Sequence, residues 1–213
     1  MIRYFLTLGI FTISSLVFAQ DAAEILSKLS NKYKTLNSIQ AEVNLRTINN
    51  DSDIDETNRI SIYKKGKKYK FSLDELIIVI SDANSVWTIS PDDEEVTIDI
   101  YEEDSEDGEI NMSNVFTLYE NGFEQYYMKL LKKNDGTYHV IDLIPEDKEQ
   151  DYFKIRVLVD SEQYLLNEMK VFYNDGTNAI YQIEKFKTDE TLDDAIFQVT
   201  KADYPGYHFE DLR

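Results

Sequence analysis

From Ile39 onward the chain alternates apolar and polar residues with a period of two, and it does so almost to its end. "IQAEVNLRT" sets Ile39, Ala41, Val43 and Leu45 to one side, "RISIY" does the same with Ile60 and Ile62, and "YKFSL" with Tyr69, Phe71 and Leu73. "EVTIDIY" offers Val96, Ile98 and Ile100, and "YHVIDLI" offers Val140 or Ile141 according to register. Further strands are read in "YFKIRVLVD", "LNEMKVFY" and "NAIYQIEKFK", with "NDG" at 174–176 as a hairpin turn between the last two. "LIIVIS" (76–81) is continuously apolar and reads as a strand covered on both sides. The pattern predicts roughly ten or eleven strands joined mostly by short turns, an antiparallel meander. A sheet that wide curls, because strand twist accumulates.

Two segments break the alternation. Residues 21–37, "DAAEILSKLSNKYKTLN", place Ala22, Ile25, Leu26, Leu29, Tyr33 and Leu36 on one face of a helix, with Asp21 and Glu24 as a capping box. "MSNVFTLYEN" (112–121) is a second, short helical candidate. The expected fold is therefore α+β: a strongly curved antiparallel sheet forming a half-open β-barrel, with helices covering its concave face. Periodicity alone leaves open whether that concavity is a filled core or an apolar cavity.

The first residues, "MIRYFLTLGIFTISSLVFAQ", have a short positive region, an apolar run and a small residue at Ala19. They predict a signal peptide over 1–19, cleaved before Gln20, and a single domain over 20–213 in the periplasm. The run is too short for a stable membrane span. The formal charge is −19, and losing Arg3 with the leader makes it one unit more negative. Such a chain is repelled by polyphosphate backbones and anionic lipid surfaces, which argues against nucleic acid as a partner and against stable membrane insertion. The chain has no cysteine, so it carries neither a disulfide nor the lipid-bearing cysteine of a bacterial lipoprotein.

Chemistry is sparsely represented. The two histidines, His139 and His208, lie far apart, and no HExxH, G-x-S-x-G or phosphate-binding glycine loop is present. The acidic stretches "PDDEE" (91–95) and "YEEDSEDGEI" (101–110) read as solvated loops. Placing Gly108 at the glycine of a calcium loop puts Asn114 where the closing glutamate belongs, so that pattern fails. Neither a catalytic residue, a metal nor a cofactor is expected, and the chain does not read as an enzyme. Its 15 tyrosines and 11 phenylalanines are the more unusual feature. Most serve cross-strand packing, while "VFTLYENGFEQYY" offers Val115, Phe116 and Tyr119 as a lid over flexible apolar ligands.

The order of these segments resembles the periplasmic outer-membrane lipoprotein carrier (LolA) family. "DAAEILSKLSNKYKTLNSIQAEV" resembles its first helix and strand, and "IYKKGKKYKF" its strand–turn–strand segment. "IVISDANSVWTISPDDEEVTI" resembles its "S-D-G-x-x-x-W-x-Y-x-P" segment, and "IYQIEKF", "DDAIFQV" and "YPGYHFEDLR" its closing segments. The resemblance implies a carrier that shields the acyl chains of lipoproteins between an inner-membrane exporter and the outer membrane. Acylated lipoproteins are its cargo, the exporter complex and an outer-membrane receptor its further partners, and the monomer its working form. An apolar-ligand or envelope-stress sensor of the same architecture is the alternative; such sensors carry a second domain, for which the chain leaves no room after Arg213.

On this reading the lipid-binding candidates are Leu26, Leu29 and Tyr33 on the helix, Val43, Leu45, Ile60, Ile62, Phe71, Ile80, Trp87 and Ile98 on strands, and Val115, Phe116 and Tyr119 in the lid. A one-residue register error would turn any of those strands inside out. Lys65 aligns with a family arginine that latches the lid, and is the candidate for latch or partner docking; a lysine lacks the planar fork of arginine. The five lysines of "IYKKGKKYKF" otherwise read as turn and edge lysines. "SDAN" replaces the family "SDG", with Asn84 available for the left-handed turn residue.

Overall fold

The computed structural model describes residues 14–102 and 122–213, with residues 14–21 described by backbone alone. Among the described residues one α-helix, α1 (Ser14–Lys34), precedes twelve strands. These are β1 (Ser38–Asn49), β2 (Ile54–Lys65), β3 (Lys68–Leu73), β4 (Ile77–Ser81), β5 (Ser85–Ser90) and β6 (Glu95–Ile100), then β7 (Phe123–Lys133), β8 (Gly136–Pro145), β9 (Tyr152–Asp160), β10 (Leu166–Tyr173), β11 (Asn178–Thr188) and β12 (His208–Asp211). The helix begins at Ser14, so Asp21 lies within it rather than at its N-terminus, and Glu24 pairs with Lys28 one turn on, at 2.8 Å. It ends at Lys34 rather than Asn37, because the amides of Thr35 and Leu36 bond three residues back and tighten the last turn.

All twelve strands form one sheet, in the order β12-β6-β5-β4-β3-β2-β1-β11-β10-β9-β8-β7. Two meanders, β1–β6 and β7–β11, are joined by pairing the first strand of one with the last of the other. Every pairing is antiparallel except β12 on β6, a short strand that alternation alone did not reveal. Alternation likewise does not reveal β7. A bulge at Met128, between Tyr127 and Lys129, switches the faces of its residues and breaks the period.

The sheet curls without closing. Phe71 on β3 and Phe123 on β7 belong to one buried cluster with α1, yet in a flat sheet strands seven places apart would stand about 34 Å from each other. Only curvature around the helix brings both to it. "NDG" forms its turn with Gly176 at φ 86°, and "KKGKK" forms a two-residue hairpin with Lys65 paired to Lys68 and Gly66 at φ 59°.

The apolar run of β4 is explained by its two neighbours. Ile77 and Val79 pack toward the helix-side cluster, whereas Ile78 and Ile80 join Ile89 and Val96 on the other face. That outer face is covered by a C-terminal strap, residues 189–207, which contributes Val199, Tyr204 and Tyr207 before β12. Phe197, in the 3-10 turn Asp194–Phe197, is completely buried.

Candidate functional site

The helix-side concavity is built from α1 downward. Leu26, Leu29 and Tyr33 are buried, and at 3.6 residues per turn they lie along one stripe. Beneath them, Val43, Ile60, Ile62 and Phe71 are buried in the same cluster, with Leu45 half-buried against it. Register explains the assembly: Ala41 opposes Ile62, Ile62 opposes Phe71, and Phe71 opposes Val79, so one face of four adjacent strands is apolar. The opposite wall comes from β8–β10, where Leu143, Ile155 and Val171 are completely buried. Sequence reading finds these strands, and offers Val140 or Ile141 on β8, but places none of their residues among the lipid-binding candidates; the alternation in "YFKIRVLVD" and "LNEMKVFY" is the available signal.

Polar groups within this region are few and registered by it. The Leu166 amide donates to the Tyr33 hydroxyl at 3.1 Å, and the Phe186 ring meets Tyr33 edge-on at 5.8 Å. Burial pushes the Tyr33 and Tyr181 phenols well above their ordinary range. Lys64, on the helix side opposite Ile39, has its ammonium lowered by burial. Past β4 the lining turns polar: Val79 opposes Thr88, and Thr88 opposes Thr97.

Ile80, Trp87 and Ile98 lie on the other side of the sheet. They oppose one another in register across β4, β5 and β6, and Ile80 and Trp87 pack beneath the strap. Val115, Phe116 and Tyr119 fall outside the described residues, as do the helical candidate 112–121 and most of the acidic stretch after Tyr101. Lys65 reaches the strap rather than α1. Its ammonium donates to the Leu192 carbonyl at 3.1 Å and to Asp194 Oδ1 at 2.7 Å, while Lys68 takes Asp194 Oδ2 at 3.1 Å. These two lysines, foremost with Lys65, hold the Asp194 carboxyl below its ordinary range.

A groove of about 310 Å³ opens between α1 and β7, lined by Ala23, Leu26, Ser27, Ser30, Asn31, Lys34 and Gln125. Its volume lies at the small end of ligand sites, which run from about 300 to 1,000 Å³. Leu26 lines the groove and belongs to the concave cluster, so the groove borders the core under the helix. Among the described residues there is no cluster of three or more His, Asp or Glu side chains that could hold a metal, and no helix long and apolar enough to cross a membrane.

The sequence profile of the family described as "Outer membrane lipoprotein carrier protein LolA" matches residues 62–200, more than half of the chain. No curated protein matches. Among solved structures, an uncharacterized conserved protein from Thermus thermophilus superposes with a TM-score of 0.61 at 10% identity, covering 90% of this chain and 99% of that one. A LolA superfamily protein from Nitrosomonas europaea gives 0.44 at 14% identity, over 84% and 97%. The Mycobacterium tuberculosis lipoprotein LppX gives 0.49 at 9%, over 82% and 98%. The first likeness concerns the fold alone, and the other two are too loose to carry weight.

Proposed function

The chain belongs to the LolA family of outer membrane lipoprotein carriers, and from that premise we propose that it is a periplasmic carrier whose concave face takes up the acyl chains of lipoproteins. The observation that supports this reading is a broad apolar wall whose helix-side cluster, among the described residues, is completed by one helix. Such an arrangement suits exchange: the ligand replaces the helix on the same surface.

Magnitudes favour a reversible exchange. The groove beside α1 accepts little more than part of one chain, so cargo enters by lifting α1. Among the described residues Ile25, Leu26, Leu29 and Tyr33 are the large side chains that α1 buries in the cluster, and exposing them costs roughly 6–12 kcal/mol, at about 1.5–3 each. A sixteen-carbon chain returns on the order of 13 kcal/mol at about 0.8 per methylene. The two terms nearly cancel for one chain, and a second chain decides in favour of binding. Leu26, Leu29, Tyr33, Val43, Leu45, Ile60, Ile62 and Phe71 are the residues assigned to this site.

The test is to purify the protein from its native envelope and identify bound molecules by mass spectrometry. Acylated lipoproteins in near-stoichiometric amount are the expected result. Free fatty acid, loose phospholipid or no ligand, obtained while the export machinery is active, would overturn the carrier reading and favour a sensor of apolar ligands.

A further inference from the structure

The outer face of the sheet, away from α1, carries a charge pattern opposite to that of the whole molecule. Each inward residue of the helix-side cluster fixes an outward neighbour by alternation. Ile60 turns Arg59 outward, Phe71 turns Lys70, Ile155 turns Lys154, Val171 turns Lys170, and Phe186 turns Lys187. The carboxylates on this face are largely matched. Asp142 holds Arg156 through two bonds of 2.6 and 2.8 Å, Glu42 holds Lys185 at 2.9 Å, and Asp55 holds Arg46 at 2.6 Å.

Arg59, Lys70, Lys154, Lys170 and Lys187 have no carboxylate at ion-pair distance among the described residues. Against these five stand Glu184, held by the Asn44 amide at 3.0 Å, and Asp74, whose Oδ2 accepts from the Arg59 backbone amide at 3.0 Å. A surplus of cations thus runs across β9, β10, β11, β2 and β3 of a chain whose formal charge is −19. One end of the strip is aromatic: Phe153 is half exposed, and Lys154 and Lys170 lie 4.1 and 4.6 Å from the centre of the Phe172 ring.

We propose that this outer strip docks an acidic polypeptide segment of a partner protein while the concave face remains free for cargo. The charge of the whole molecule selects the class of partner. Screening confines the attraction of the strip to about 8 Å at physiological salt. A narrow chain lying along the strip meets only cations within that distance. A flat anionic membrane touches a convex face over a small area and meets the acidic remainder, which repels it. Lys65 and Lys68 take no part, because Asp194 occupies both.

The probe is a fluorescently labelled glutamate-rich peptide, titrated with the protein by polarisation at low salt and at about 0.5 M, where screening reduces the reach of each charge below about 5 Å. The triple variant Lys154→Gln/Lys170→Gln/Lys187→Gln removes three charges from the strip. Lys32→Gln/Lys132→Gln/Lys201→Gln removes three elsewhere and controls for net charge. The unfolding midpoint of each variant is measured alongside, and a strip variant that unfolds early is replaced by the corresponding arginine-to-glutamine change at the exposed Arg59. Salt-sensitive binding that weakens about ten-fold in the strip variant and less than about two-fold in the control is expected. No binding at low salt, equal loss in both variants, or binding to phosphatidylglycerol vesicles but not to the peptide would overturn the proposal.

Discussion

Ala83 adopts φ 75°, a left-handed conformation, in the turn between β4 and β5. The sequence offered Asn84 for that role, but Asp82 accepts from the amides of Asn84 and Ser85 at 2.8 and 2.9 Å, and this turn places the left-handed residue one position earlier. An L-residue there costs roughly 1–2 kcal/mol, and glycine avoids that cost while losing about 0.4–1 kcal/mol through the greater freedom of the unfolded chain. Ala83→Gly is therefore expected to stabilise the protein by about 0.5–1 kcal/mol, read from a higher urea midpoint at unchanged slope; a lower midpoint would contradict the assignment. The strap offers a second contrast between residues. Lys65, Lys68 and Asp194 are partly exposed, whereas Phe197 is completely buried. Asp194→Asn should barely move the midpoint, while Phe197→Ala should cost about 3–5 kcal/mol. Equal effects would mean that the ion cluster, and not burial, secures the strap.

Among the elements, α1 and β4 mark how far the sequence could be read. Alternation identified β1, β2, β3 and β9 to β11 because each has one apolar face, and the turn signals of "NDG" and "KKGKK" fixed their hairpins. It could not say which face met the helix. For Phe71 and Ile62 a single apolar side sufficed. For Ile80, Trp87 and Ile98 it did not, since the outer side of β4–β6 is also apolar, a consequence of a strap that lies more than ninety residues further along the chain. The bulge in β7 hid that strand for a related reason: its period changes halfway. The proposed uptake of acyl chains places one demand on these elements, that α1 separate from β7. Asn31 on α1 and Gln125 on β7 both line the groove, Asn31 is exposed, and the chain has no cysteine of its own. Asn31→Cys/Gln125→Cys joined by a bis-maleimide should therefore fold normally yet lose lipoprotein uptake, with the unlinked double variant retaining it. Full uptake by the linked protein would show that cargo enters without lifting the helix.

At the scale of the molecule, one twelve-stranded sheet presents two differently covered faces. The inner face is apolar under a helix, and the outer face is part strap, part cationic strip. On the readings proposed above, an acidic partner docks on the outer face and acyl chains lie on the inner one, where Lys64 is a half-buried cation beside the apolar wall. The central claim is that acyl chains lie on the inner face, and cross-linking from the chain itself tests it most directly. A lipoprotein carrying a diazirine within its acyl chain is loaded, irradiated, and the attachment sites are mapped by mass spectrometry. Attachment at Val43, Ile62 and Phe71, with none at Ile80, Trp87 or Ile98, is the predicted result. Attachment beneath the strap, or none to either face, would contradict it.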